Sequence, residues 1–78
     1  MTINYRVNRL GKNGAPIDYM DFHTEREAIK YMNTVEKVWV ATDRYITTRD
    51  NKTFRAWDKN DKYTWPRIYL MLDLHVEM

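Results

Sequence analysis

The chain contains no cysteine, only two glycines and two prolines, and no apolar run longer than the five residues from Ile68 to Leu72. Each shortage removes a class of protein. Without thiols there is neither a disulfide nor a thiolate metal site to hold a small fold, the usual recourse of secreted miniproteins. A cytoplasmic location is therefore expected. Gly11 and Gly14 are too few for a loop that cradles phosphates and read instead as turn residues. A membrane helix needs about 20 predominantly apolar residues, and residues 1–6 show neither the basic segment nor the apolar stretch of a signal peptide. No membrane contact is expected.

The 78 residues allow one domain, 1–78, and a chain this short buries only about 60% of its unfolded surface. A catalytic cleft of roughly 300 Å³ or more is hard to enclose in such a molecule, whereas a binding surface needs no enclosure. No nucleophile stands beside recognisable partners, and no cofactor motif is present. The expectation is a protein that is not an enzyme and carries no cofactor.

What the chain does have is patterned strands. Ile3, Tyr5 and Val7 alternate with polar residues, as do Ile17 and Tyr19, and Asn13-Gly14 between the two runs is a strong hairpin signal. Strands are expected near 2–10 and 15–22. Thr24-Glu25-Arg26-Glu27 is a capping box, followed by the apolar stripe of Ala28, Ile29 and Met32, so a helix should run over about 25–34. Glu25, Arg26, Glu27 and Lys30 read as its solvated face. Residues 37–41 and 44–48 are rich in the β-branched and aromatic side chains that suit strands, with Thr42-Asp43 either a tight turn or a bulge between them. Asp50-Asn51 marks another turn, residues 52–57 another strand, and residues 58–61 a polar connection. Pro66 opens the final strand.

In that final strand Ile68, Leu70, Leu72, Leu74, Val76 and Met78 alternate with Tyr69, Met71, Asp73, His75 and Glu77. Because Tyr69 and Met71 add apolar area to the second face, the strand is expected to lie centrally in the sheet. The competing outcome is a homodimer formed through a free strand edge. The fold class is α+β: ββα followed by three or four strands, with one helix packed on a twisted, mainly antiparallel sheet.

Two groups of residues could carry chemistry. Asp73, His75 and Glu77 share a strand face about 7 Å apart, a spacing that admits a metal or a proton relay, but metal sites recruit ligands from several elements, and a solvated strand end is the stronger reading. The second group is residues 37–67. Here Trp39, Tyr45, Phe54, Trp57, Tyr63 and Trp65 are interleaved with eight cations and four aspartates, a local excess of +4, while the rest of the chain carries −2. Three readings compete: the aromatics fill the core, they contact a protein, or they stack on nucleic-acid bases while the cations meet phosphates. The interspersed Asp43, Asp50, Asp58 and Asp61 count against phosphate.

Residues 21–28, Asp-Phe-His-Thr-Glu-Arg-Glu-Ala, resemble the strand-to-helix junction of AP2-type and integrase arm-binding domains, in which a small sheet enters the major groove and a helix packs behind it. The resemblance covers about residues 3–34 and implies nucleic-acid binding. Those domains place three strands before the helix, and two are found here.

The resulting expectation is a small protein-binding module that occupies a surface of a larger protein or ribonucleoprotein, as a phage or mobile-element inhibitor of a host system would. The alternative is nucleic-acid binding by residues 37–67. Arg49, Arg55, Trp57, Tyr63 and Trp65 are the candidate contact residues, and no metal ligands are assigned.

Overall fold

The first hairpin joins β1 (Thr2–Leu10) to β2 (Pro16–Phe22) in a computed structural model that describes residues 2–60 and 65–77. Its turn is longer than a two-residue Asn-Gly turn. Within this turn only Gly14 has positive φ, at 80°, so Asn13 stays in ordinary backbone space and uses its side chain to accept from the Ala15 amide at 3.1 Å. Gly14 N–H donates to the Gly11 carbonyl and Gly11 N–H to the Ala15 carbonyl, a turn closed by a left-handed glycine. The register slips between Arg9 and Leu10 to accommodate it.

The helix α1 (Glu25–Val40) starts as the capping box requires: Thr24 Oγ1 accepts from the Glu27 amide at 3.1 Å. It ends later than expected. Residues 37–41, read above as a strand, form its last turn and cap, and Ala41 N–H donates to the Lys37 carbonyl. The reason lies in the apolar stripe. Ala28, Ile29, Met32, Val35 and Trp39 continue at helical spacing and all pack on the core, whereas Val38 and Val40 are 65% and 56% exposed. Packing of a helical face outweighs the weak strand preference of two valines. Trp39 then fastens the helix end by packing against Tyr45 in a tilted arrangement, with ring centroids 4.6 Å apart and the planes at 58°. Residues 41–44 are therefore a helix-to-strand turn, and Thr42-Asp43 is no bulge.

Three strands follow: β3 (Tyr45–Arg49), β4 (Thr53–Asp58) and β5 (Ile68–Glu77). The turn before β4 is organised by Asp50, whose Oδ1 accepts from the Lys52 and Thr53 amides and from the Thr53 hydroxyl at 2.7 Å. The sheet order is β2-β1-β5-β4-β3, and every neighbouring pair is antiparallel. β5 occupies the centre, as its two-sided apolar character implied. The fold is α+β, ββα followed by three strands.

The helix lies on one face. Val7, Phe54, Ala56, Leu70 and Leu72 point to it from three strands and meet Ala28 and Met32, and these seven form the buried core. Among the described residues the other face carries no helix. Every second residue of each strand projects onto that open face, and there the candidate site is found.

Candidate binding surface

The open face is fixed by register. Arg55 of β4 stands opposite Tyr69 of β5, and Arg6 of β1 stands between Asp21 of β2 and Asp73 of β5. Trp57 follows Arg55 on the same side of β4, and Trp65, just before β5, lays its ring 5.7 Å from that of Tyr69. The Arg55 guanidinium carbon lies 5.4 Å from the Trp57 ring centroid and 5.5 Å from that of Tyr69. Two aromatic side chains thus hold one arginine by cation–π attraction, worth about 0.5–1 kcal/mol per contact at partly exposed positions.

Charges around this cluster are mostly neutralised in pairs. Arg6 grips Asp21 with two bonds of 2.8 and 2.9 Å while its guanidinium stacks 3.7 Å above Tyr19. The hydrogen bonds from Arg6 hold the Asp21 carboxyl below its ordinary range, with smaller help from the charges of Arg6 and His75. On the helix side of the sheet Arg9 binds Asp18 and the Asp58 carboxylate is shared by Arg44 and Arg67, while Lys59 reaches Asp43. Arg55 differs. It makes no ion pair among the described residues, and its Nε is buried without a hydrogen-bond partner.

The candidate contact residues are divided by the fold. Arg55, Trp57 and Trp65 share the open face. Arg49 points to the other face, where it donates to Asn33 Oδ1 and the Asp50 carbonyl at 2.9 Å each and faces Glu36 at 3.5 Å. Tyr63 lies outside the described residues. The aromatics of residues 37–67 are likewise divided: Phe54 is buried, Trp39 and Tyr45 pack against the core, and Trp57 and Trp65 do not. Tyr69 and Tyr19 escaped the sequence reading because they lie outside the basic segment. The signal for Tyr69 was its place among polar residues on the second face of the last strand.

Asp73 and His75 project onto the same open face, opposite Arg6 and Asn4. Among the described residues no group of three or more histidine, cysteine, aspartate or glutamate side chains is placed to hold a metal ion. No helix is long and apolar enough to cross a membrane. Chemically, the surface offers a partly desolvated guanidinium ringed by aromatic rings and flanked by the neutral Arg6–Asp21 pair, which suits recognition of an isolated carboxylate beside an apolar patch. Comparisons with protein-family models, curated proteins and solved structures find no match to this chain.

Proposed function

We propose that this protein is a binding module that docks the open face of its sheet on an acidic site of a larger protein. One observation carries the reading: Arg55 is pre-organised between Trp57 and Tyr69 with no carboxylate in direct contact among the described residues, Asp50 feeling its charge only at longer range. Tryptophan, tyrosine and arginine are the residues that most often dominate interface energies, and they do so when clustered and desolvated. A partner carboxylate would pair with this partly desolvated guanidinium, and the aromatic rings would shield the pair from water. A module this small acts by occupying a surface, so its biological effect would be to block one, as an inhibitor of a host assembly does.

Nucleic acid is the lesser reading. Phosphate tracking needs a row of available cations, but Arg6 on the open face and Arg44, Lys59 and Arg67 elsewhere are each committed to an aspartate. The test is photo-crosslinking from position 57 in extract of the source cells, alongside titration of labelled single-stranded and duplex oligonucleotides at low salt. A discrete protein adduct that disappears with Arg55→Glu is expected. An adduct unaffected by that charge reversal, or oligonucleotide binding that weakens steeply with salt, would refute the proposal.

A further inference from the structure

β5 is paired unequally on its two sides. β1 accompanies it from Arg9↔Leu70 to Thr2↔Glu77, but β4 leaves it at Thr53↔Met71. The last bond on the β4 side runs from Leu72 N–H to the Lys52 carbonyl at 2.7 Å. Amides along a strand alternate in direction, so the N–H groups of Leu74 and Val76 also point away from β1, where no strand of the described residues pairs with them. Leu74 N–H is capped only by the carboxylate of its neighbour Asp73, at 2.8 Å.

This free edge adjoins a cleft. Between α1 and the β3–β4 turn lies a cavity of about 760 Å³ with Tyr5, Ile29, Leu72 and Leu74 among its apolar walls. Ile3, Leu74 and Val76, on the same face of the sheet, are 48%, 54% and 42% exposed. Of the acidic side chains in its lining, Glu25 and Glu36 belong to α1 on the helix side of the sheet, whereas Asp73 alternates with Leu72 and Leu74 and lies toward the open face. Glu36 faces Arg49, whereas Glu25 has no ion pair among the described residues.

We infer that the Leu74–Val76 edge of β5 is a strand-addition site for an extended segment of a partner protein in which apolar residues alternate with lysine or arginine. Main-chain bonds to the outward amides would supply affinity, as they do wherever a peptide completes a sheet. Side chains on one side of the added strand would cover Leu74, Val76 and Ile3. Those on the other side would meet Asp73, whose carboxylate would exchange its cap on Leu74 N–H for a cation. A second copy of β5 fits less well, because the residues alternating with its apolar ones are Asp73, His75 and Glu77, which would set acid beside acid. This edge is separate from the Arg55 surface and does not depend on it.

The experiment uses the full chain labelled with nitrogen-15 and two capped heptapeptides, KVKIKVK and EVEIEVE. The basic peptide is expected to shift the Leu74 and Val76 amides, to slow their hydrogen exchange, and to bind at least about tenfold more tightly than the acidic one. Val76→Pro removes an outward amide at a position where an edge strand tolerates proline, and should abolish binding. Should Val76→Pro fail to fold, Leu74→Lys at the exposed neighbour should weaken the basic peptide by about tenfold or more. Equal affinity for both peptides, shifts confined to Trp57 and Tyr69, or no change at Leu74 and Val76 would overturn the inference. So would a dimeric mass with both amides protected before peptide is added, which would assign the edge to a second copy.

Discussion

Substituting Phe54 and Trp57 separately by alanine tests the division of the basic segment between two faces, because the smaller ring should matter more. Phe54 is fully buried between β5 and α1, so truncation removes its transfer free energy and leaves a cavity, together about 3–5 kcal/mol. A domain of this length is stable by roughly 8 kcal/mol at about 0.1 kcal/mol per residue, so Phe54→Ala should remove about half of the total. Its melting temperature should fall by about 20 °C. Trp57 sits half-buried on the open face, and truncation would lose part of that burial together with its contact with Arg55, about 2 kcal/mol from these two sources. Urea unfolding followed by far-ultraviolet circular dichroism suits both variants, since Trp57 is itself a fluorophore. If Trp57→Ala cost as much as Phe54→Ala, the open-face assignment of Trp57 would be wrong, and with it the reasoning that makes Arg55 and Trp57 a binding pair.

Other consequences can be checked with the same unfolding assay. Val38→Lys, at an exposed helical position, should change stability by less than about 0.5 kcal/mol, whereas a strand through residues 37–41 would make it costly. Thr24→Ala removes the bond to the Glu27 amide and should cost about 1 kcal/mol. Gly14→Ala forces a side chain onto a backbone at φ 80° and should cost about 1 kcal/mol even though the surrounding space is open. Asp50 has its carboxyl held below the ordinary range, first by the Thr53 hydroxyl and then by the Lys52 amide. A folded pKa below the unfolded value stabilises above about pH 4 and is lost as acid protonates the group, so Asp50→Asn should flatten the acid limb of the stability profile between pH 4 and 2.

Much of this fold is legible locally. The capping box at Thr24, the alternation of β1 and β5, and the Asp50 turn are short-range signals whose physics does not depend on the rest of the molecule. The helix end was hidden because Val38, Trp39 and Val40 carry strand preference, while the decisive observation, that Trp39 continues the stripe of Met32 and Val35, matters only once a sheet exists for that stripe to cover. The first hairpin was legible at Asn13-Gly14, but its turn geometry was not: the chain satisfies the Ala15 amide with the Asn13 side chain, and of the pair only Gly14 takes positive φ.

The candidate site was harder to read for a geometric reason. Side-chain direction alternates within a strand, but a turn decides whether odd or even residues of the next strand face the core. Across β3 and β4 the partners are Tyr45↔Asp58, Thr47↔Ala56 and Arg49↔Phe54, so an odd residue always faces an even one and the parity inverts. Arg49 and Arg55 are both odd, yet Arg49 is drawn under the helix toward Glu36 and Asn33 while Arg55 is left on the open face with Trp57. Between β4 and β5 the partners are Phe54↔Leu70 and Ala56↔Ile68, parity is kept, and Arg55 therefore shares its side with Tyr69. Composition alone groups Arg49 with Arg55. The register separates them, so charge reversal at Arg49 would oppose Glu36 and strain the fold, whereas reversal at Arg55 probes the surface by itself.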